Sequence, residues 1–451
     1  MKLRRNALFN GAEVIINGIC LFLIYRHVLD VLGVAMLGVW SLVLATSAFG
    51  RAADLGISGG LARFVARALG EEQPQQALVY IRTGMIFMAV VMATVAFASW
   101  WPLSTWLGLA LSGTELEVAR EVLPWAILNF WFLMVKAVLD SALTGVHRAD
   151  LKAVAGIAGV LSQLGLTYLL VVNHRLLGLA WAQIAQFVVA ILLEVVFMLT
   201  VARLRASGAA WFSRPAMREM FGFGLKLQLG SVANLTFEPV IKTAIAAIAG
   251  THVLGIFEIA YRMSYQVRNI ATMALQPTVA TFAAIRARSE AETMVLFRKV
   301  TRGASVATAI LMTGVAVGSP LISWLYLARV DPLFVYASAL MGVMWGSTIL
   351  VSPAYYYGIA IGRVAPYVVG EFVAVATSFL SVIILGQGGS VAAMVVGVCT
   401  GKLLGSLLLG TLTRPTVDWA GAIVTNKDVW LSSAVLTVTC GVVALLALPH
   451  L

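Results

Sequence analysis

The chain has 451 residues, of which 61% are hydrophobic and only 11% are charged. Soluble domains carry about 25% charged residues and disordered chains are poor in apolar residues, so both classes are excluded and a polytopic membrane protein remains. The net charge of +11 does not indicate nucleic-acid binding, because membrane proteins concentrate Lys and Arg in their cytoplasmic loops.

Apolar runs along the chain predict thirteen transmembrane helices. A helix that crosses a bilayer needs about 20 mostly apolar residues. The runs are too long for barrel strands and lack the alternating pattern of such strands. The predicted spans are residues 7–29, 33–54, 77–101, 119–144, 152–172, 176–202, 221–249, 251–282, 300–325, 333–360, 364–386, 390–412 and 429–449.

The basic residues fall mainly in every second loop, which predicts a cytoplasmic N-terminus. A short segment in the first of these loops, residues 56–76, is predicted to form an amphipathic helix on the inner membrane surface. The basic residues of the predicted cytoplasmic loops are Arg63, Arg67, Arg148, Lys152, Arg203, Arg205, Arg214, Arg218, Arg286, Arg288, Arg298, Lys299, Arg302, Arg363, Arg414 and Lys427.

Short similarities between the two halves of the chain indicate an internal duplication. Residues 37–40 (LGVW) match residues 254–257 (LGIF), and residues 67–71 match residues 286–290. Further weak matches follow in the same order, at a nearly constant spacing of about 215–220 residues. An even number of helices separates equivalent positions, so the two halves have the same orientation in the membrane.

The sequence therefore predicts an all-α polytopic membrane protein with two six-helix bundles and about one additional C-terminal helix. The bundles are expected to be related by a pseudo-two-fold axis along the membrane normal, as in transporters with parallel repeats. The predicted domains are an N-terminal lobe (1–205), a C-terminal lobe (206–412), and a cytoplasmic linker with the extra helix (413–451).

Charged residues inside the predicted spans are costly in lipid and usually face a wet interior. Three pairs, Lys136 with Asp140, Glu238 with Lys242, and Glu258 with Arg262, have i,i+4 spacing and so lie on one helix face. The two residues of such a pair either neutralise each other and hold the structure together, or they belong to a functional site. In contrast, Lys226, Arg268 and Lys402 have no obvious partner in their own helix.

The seventh and eighth spans carry a surplus of basic residues, which suits an anionic ligand and phosphate in particular. Glu13 lies in the middle of the first span without a partner, so it is a candidate proton site or the partner of a base on another helix.

No catalytic or cofactor-binding motif is found, so the protein is not expected to be an enzyme or to hold a cofactor. The phosphate-binding GxxxxGK[ST] motif, the HExxH motif and the nucleophile elbow do not occur. The three cysteines and five histidines are not spaced as metal ligands.

Several segments resemble the polysaccharide (O-antigen/exopolysaccharide, Wzx-type) flippase family of the multidrug/oligosaccharidyl-lipid/polysaccharide exporter superfamily. The resemblance covers roughly residues 1–412 and depends on the order of the motifs and on topology. The segments that carry it are Gly38–Leu42, Ala53–Ile57, Arg63–Ala66, Phe221–Gly222, Gly255–Phe257 and Tyr261–Arg262.

This resemblance implies a transporter that moves a polyprenyl-diphosphate-linked oligosaccharide from the inner to the outer leaflet of the bacterial cytoplasmic membrane. It implies alternating access coupled to a cation gradient, H⁺ or Na⁺, with membrane lipid and a polysaccharide polymerase as candidate partners. By this analogy the substrate-binding residues are Arg262, Arg268, Lys242, Lys226 and Lys136. The ion-coupling candidates are Glu13, Asp140, Glu238 and Glu258.

Two rival interpretations belong to the same superfamily. A cation-coupled multidrug exporter would need a cavity biased toward carboxylates, whereas the seventh and eighth spans are biased toward bases. A lipid II flippase would differ only in the glycan. A membrane-embedded glycan polymerase is a rival from another class, but it would need a large outer loop with catalytic groups. The longest predicted outer loop is residues 101–118.

Overall fold

The computed structural model describes residues 2–47, 57–200, 210–228, 232–275, 278–286, 289–363, 365–413 and 426–450. Within these ranges all regular structure is helical, with no β-strand. The helices are α1 (Lys2–Ser47), α2 (Ile57–Gly70), α3 (Pro74–Leu107), α4 (Gly113–Gly145), α5 (Ala149–Thr200), α6 (Arg214–Gln228), α7 (Val232–Leu275), α8 (Thr278–Arg286), α9 (Glu290–Leu327), α10 (Pro332–Ala360), α11 (Ala365–Gly386), α12 (Val391–Leu412) and α13 (Lys427–Ala447), followed by a 3₁₀ turn at Leu448–His450.

Ten helices in the described part of the chain are long and apolar enough to cross a membrane, which makes this a multi-pass membrane protein. Three of them, α1, α5 and α7, contain one non-helical residue each: Gly33, Arg175 and Gly250. Each of these breaks therefore separates two of the predicted spans. The breaks fall within a residue of the boundaries predicted at 33, 176 and 251.

The predicted seventh and eighth spans differ from the observed helices at their ends. The described part of α6 ends at Gln228 and that of α7 begins at Val232, and the predicted span 221–249 also includes residues 229–231, which lie outside the described residues. The predicted span 251–282 covers the second half of α7 and the start of α8, and its residues 276–277 also lie outside the described residues.

Unusual backbone conformations in the first half of the chain recur at equivalent positions in the second half, as the predicted duplication requires. Gly33 and Gly250, 217 residues apart, have φ of 82° and 83° and the same ψ of 172°. Positive φ recurs in three more pairs at spacings of 214 or 215 residues. These pairs are Gly113 with Ala328, His147 with Gly362, and Arg175 with Gly389. Since positive φ is rare outside glycine, four coincidences support a true repeat.

The chain forms two compact units, Met1–Leu235 and Thr236–Leu451. In the first unit, α5 packs against α1 and α4, while α2 packs against α3, α4 and α6. The predicted amphipathic helix at 56–76 is therefore present as α2, with Leu61, Phe64 and Val65 buried and Arg63 exposed. The predicted lobe boundary after residue 205 falls outside the described residues.

In the second unit, α11 packs closely against α12, and α13 packs against α9 and α10. The α10–α13 contact uses Gly342 and Gly346, four residues apart on one face of α10. A Cβ at Gly346 would lie 2.7 Å from a methyl carbon of Leu436, and one at Gly342 would lie 3.1 Å from the sulfur of Cys440. Small residues at this spacing allow two membrane helices to approach closely. The thirteenth helix is thus part of the second unit.

Helix α6 is held on the first unit by a polar contact between three helices. Glu219 of α6 accepts hydrogen bonds from the Tyr80 hydroxyl of α3 and from the Arg67 guanidinium of α2, the latter at 2.8 Å. The Tyr80 hydrogen bond and the Arg67 charge lower the pKa of Glu219 below its ordinary value. Phe221 of α6 also packs edge-on against Phe87 of α3.

Replacing Glu219 with glutamine is expected to lower the melting temperature at neutral pH by a small amount, because this contact is partly exposed to solvent. A carboxylate with a lowered pKa stabilises the folded state above its unfolded pKa of about 4.3, and this contribution is lost as the pH falls through the folded pKa. The difference between the wild type and E219Q should therefore shrink as the pH falls below about 4.3 and vanish once the pH lies below the lowered folded pKa. The exposed Glu117 supplies the control variant, E117Q, which should show no such pH-dependent difference.

Candidate functional site

The first unit contains a buried group of charges between α4 and α5. The Lys136 ammonium donates to both carboxylate oxygens of Asp140, at 2.7 and 2.8 Å. The same ammonium lies 3.1 Å from Glu194, whose side chain is 0% exposed. The predicted i,i+4 pair is therefore part of a three-residue cluster in which two carboxylates share one ammonium.

Glu13 of α1 lies beside this cluster. It interacts electrostatically with Lys152, Lys136 and Asp140, but it forms no direct ion pair with any described residue. Its carboxylate rests on Gly156 of α5, where a Cβ would come within 2.3 Å of Glu13 Oε1. A Cβ at residue 156 would therefore displace the Glu13 carboxylate from this position.

Together these five residues carry more negative than positive charge. Three carboxylates (Glu13, Asp140 and Glu194) face two ammonium groups (Lys136 and Lys152). A buried excess of one negative charge is costly unless a proton or another cation compensates for it. This arrangement can bind a cation chemically, and we name it the acidic cluster.

The second unit contains a ladder of four alternating charges on α7. Lys242 binds Glu238 at 2.9 Å and Glu258 at 2.7 Å, and Glu258 in turn binds Arg262 at 2.7 Å. Along a continuous helix Lys242 and Glu258 would be about 24 Å apart. They meet because the chain reverses direction at Gly250, which lies eight residues from each of them.

The ladder is electrically balanced, with two acids and two bases. Lys242 and Glu258 are almost completely buried, at 1% and 0% exposure of the side chain. A buried pair that is fully compensated has little charge to offer a ligand. Of the four bases counted from the sequence of this region, the ladder pairs two with both acids, so Arg268 and Lys226 make up the positive surplus.

A second ion pair in this unit joins neighbouring helices. Lys402 of α12 donates to Glu371 of α11 at 2.6 Å, so it has a partner that lies outside its own helix. The Lys402 ammonium also lies 4.9 Å from the ring centre of Phe237 and 6.0 Å from that of Trp345.

Arg268 of α7 is the basic residue of this region that stays uncompensated. It forms no ion pair with a described carboxylate and donates only to the side chain of Asn269, at 3.1 Å. Its Nε atom is buried and has no acceptor among the described residues. A free, partly buried guanidinium in a membrane-spanning helix is available to bind an anion.

Aromatic rings surround the Arg268 guanidinium. It lies 5.8 Å from the ring centre of Tyr265 and 5.6 Å from that of Trp345. Trp345 packs edge-on against Tyr261 and Tyr265, at 5.4 and 5.2 Å between ring centres. We name Tyr261, Tyr265, Trp345 and Arg268 the aromatic arginine site. Tyr265 and Trp345 hold the guanidinium by cation–π contact, which uses none of its N–H donors.

The structure thus divides the sequence-predicted site residues into three groups. Lys136, Asp140 and Glu13 come together in the first unit; Lys242, Glu238, Glu258 and Arg262 form the balanced ladder; and Arg268 lies within the aromatic site. Lys226 is in α6, but its side chain lies outside the described part of the structure.

Sequence reasoning did not assign Glu194 or Glu371 to a site. The Lys402–Glu371 contact could have been predicted from the sequence, since the two residues lie at similar distances from the turn between α11 and α12. Glu194 had no such signal, because it lies in the second half of α5, beyond the break at Arg175, and not in the half that follows α4 after a short turn.

Comparison with known proteins shows similarity to one class of transporters. The MatE family model matches residues 13–169, about a third of the chain. Among curated proteins, no match to the sequence is found.

Solved structures match over nearly the whole chain. A multidrug resistance MATE family transporter of the MOP superfamily, in an inward-facing conformation, has a TM-score of 0.75 at 14% identity and covers 90% of this chain and 95% of its own. The lipid II flippase MurJ, in an inward closed conformation, has a TM-score of 0.68 at 12% identity, with 98% and 97% coverage. The eukaryotic MATE transporter AtDTX14 has a TM-score of 0.65 at 14% identity, with 96% and 99% coverage.

The fold is therefore that of the MATE-like transporters of the MOP superfamily. This confirms the sequence-based prediction of an all-helical transporter fold. The match includes both a drug transporter and a lipid flippase, so the fold is common to proteins with different substrates.

Proposed function

We propose that this protein is a flippase for a polyprenyl-diphosphate-linked oligosaccharide. The observation that carries the proposal is the Arg268 guanidinium, which lies in a membrane-spanning helix without a carboxylate partner among the described residues. A diphosphate needs charge-assisted donors to enter a low-dielectric region, and Arg presents them in the fork that fits phosphate oxygens.

The aromatic rings beside Arg268 fit the glycan part of such a substrate. Tyr265 is partly exposed and offers a ring face and a hydroxyl group to a sugar ring, while the buried Tyr261 and Trp345 pack against it and hold it in place. Of the other predicted substrate residues, Lys242 and Arg262 are neutralised in the ladder. We therefore assign them a supporting role and assign the direct phosphate contact to Arg268.

For coupling, we propose the acidic cluster of the first unit. Glu13 and Asp140 from the predicted coupling set, together with Glu194, have the unbalanced negative charge that a proton or Na⁺ would compensate. Glu238 and Glu258 are less suited, because each is already paired with a base.

The proposed site of action is the bacterial cytoplasmic membrane, with a cytoplasmic N-terminus and a polysaccharide polymerase downstream. The proposed activity is transport without chemical change of the substrate, so the protein would not act as an enzyme.

The test is leaflet transfer in proteoliposomes that contain a polyprenyl-diphosphate oligosaccharide, with and without an imposed H⁺ or Na⁺ gradient. Transfer that needs the protein and increases with a gradient would support the proposal. Efflux of a cationic dye without lipid transfer would overturn it in favour of a multidrug exporter, which is the reading that the acid-rich first unit favours. Transfer of lipid II but not of other lipid-linked glycans would identify a lipid II flippase.

A single glycine tests the coupling role of Glu13. In Gly156→Ala the new Cβ would lie 2.3 Å from Glu13 Oε1, so the flexible carboxylate must move while the helix remains intact. We expect normal folding and a clear loss of gradient stimulation.

The matched control is Gly165→Ala, in the same helix, where a Cβ would meet nothing within 4 Å. It should keep full gradient stimulation. If G156A and G165A transport alike under every gradient, Glu13 is not a coupling residue.

A further inference from the structure

Helices α2 and α6 of the first unit form a basic surface. Each carries two arginines with i,i+4 spacing on its exposed face, and the two helices are in contact. Residues Leu61, Phe64 and Val65 of α2 and Ala216 and Met220 of α6 are buried, which turns the opposite faces outward. We name Arg63, Arg67, Arg214 and Arg218, all exposed, the basic surface.

This surface lies at the end of the membrane spans. The described parts of α2 and α6, 14 and 15 residues long, extend about 21–23 Å, and neither helix is among the candidate membrane spans. Both helices dock on the first turns of α3, through Tyr80 and Thr83. An amphipathic helix in this position lies in the interface between headgroups and acyl chains.

Two large apolar side chains stand next to the arginines. Trp211 is 70% exposed and Phe212 is 44% exposed, immediately before α6 begins. The Arg82 guanidinium of α3 lies 4.4 Å from the Trp211 ring centre, and the backbone N–H of Ser213 donates to Thr83 Oγ1 at 3.1 Å. These contacts fix Trp211 in place although most of its ring is uncovered. Tryptophan in such a setting is typical of the membrane interface.

The charges of the surface do not cancel. Glu219 binds Arg67, and the exposed Glu71 and Glu72 lie just beyond the C-terminal end of α2. No described carboxylate pairs with Arg214 or Arg218, one turn apart at the start of α6. Thus the part of the surface nearest to Trp211 and Phe212 is the most positive.

We propose that the basic surface, with Trp211 and Phe212, binds the headgroups of anionic phospholipids. Arg214 and Arg218 contact the headgroup phosphates, and the two aromatic side chains insert at the level where the acyl chains begin. The aromatic side chains favour a lipid over free phosphate, because a soluble anion would leave them exposed to water. By the distribution of basic residues along the chain, the leaflet is the cytoplasmic one. The proposal does not depend on the transported substrate.

The experiment compares the wild type with the double variant Arg214→Gln, Arg218→Gln. Both side chains are exposed, so the variant is expected to fold. Each arginine near an anionic surface contributes about a five-fold increase in lipid affinity, so the pair should account for roughly 30-fold. The measurement is labelling of the purified protein in nanodiscs by a photoreactive phosphatidylglycerol, with the labelled peptides identified by mass spectrometry.

The wild type should be labelled between residues 210 and 228, and unlabelled phosphatidylglycerol should compete for this site far better than phosphatidylcholine or inorganic phosphate. Arg120→Gln, which removes an exposed arginine from α4, is the control for net charge and should keep wild-type labelling. Equal labelling of the double variant and the wild type would overturn the proposal. Equal competition by phosphatidylcholine, or displacement by inorganic phosphate, would also overturn it.

A second measurement covers the case in which the double variant folds poorly. The variant Trp211→Ser, Phe212→Ser leaves every arginine in place but removes the apolar anchor. It should lose much of the phosphatidylglycerol labelling if the ligand is a lipid. Unchanged labelling would contradict insertion at this surface.

Discussion

Replacing Arg268 with glutamine is expected to reduce transfer of a polyprenyl-diphosphate substrate by about 10- to 100-fold. A hydrogen bond to a charged group contributes about 1.5–3 kcal/mol, and the neutral amide keeps the size of the side chain but not its charge. Because Arg268 forms no ion pair with any described residue, its loss leaves no buried carboxylate uncompensated. The protein should therefore fold normally, and the defect should appear in transport alone.

The measurement is the initial rate of leaflet transfer in proteoliposomes at equal protein content. Arg298→Gln, which removes an exposed arginine from α9 of the same unit, should transport at the wild-type rate. Arg268→Lys should fall between the two, because lysine keeps the charge but cannot donate in a bidentate fork. Full transport by R268Q would remove Arg268 from the substrate site.

Replacing Glu258 with glutamine is expected to lower the free energy of unfolding by about 3–5 kcal/mol. Glu258 is 0% exposed and lies between Lys242 and Arg262, so its neutralisation leaves the buried Lys242 and the partly exposed Arg262 with the single acid Glu238. The measurement is the unfolding midpoint in detergent, followed by tryptophan fluorescence.

Glu290→Gln is the matched control, since Glu290 also forms an i,i+4 pair with an arginine, Arg286, but is 77% exposed. It should cost less than about 1 kcal/mol. The double variant Lys242→Met, Glu258→Met removes one charge of each sign, leaving Glu238 to interact with Arg262, and should recover most of the lost stability. If E258Q is as stable as E290Q, the ladder does not hold α7 together.

The spans could be predicted from the sequence because a segment crosses the membrane as a helix on account of its own apolar residues. A run of about 20 apolar residues can only be stable in lipid as a helix, and the breaks at Gly33 and Gly250 coincide with glycines between such runs. The i,i+4 pairs were found for the same reason, since helix geometry alone places Lys136 beside Asp140 and Glu258 beside Arg262.

The contacts that decide the charge balance are not local. Lys242 meets Glu258 only because the chain reverses at Gly250, and that contact turns two separate pairs into one neutral ladder. Glu194 meets Lys136 through the packing of α5 on α4, which no sequence spacing indicates. Hence the sequence could not show that both acids of the seventh and eighth spans are paired within one ladder, and it missed one member of the acidic cluster.

The paired positive-φ positions allow the two halves of the chain to be compared with each other as two related sequences would be. Two of the four pairs combine a glycine in the second half with a bulkier residue in the first, His147 with Gly362 and Arg175 with Gly389, and a third, Gly113 with Ala328, has the reverse order. Each half therefore shows which substitution the other tolerates at the same turn. At Gly33 and Gly250 both halves keep glycine, at a φ near 80° with ψ of 172°, a combination that essentially only glycine adopts. Comparing the two halves of this single chain thus separates the turns that accept different residues from those where the backbone geometry requires glycine.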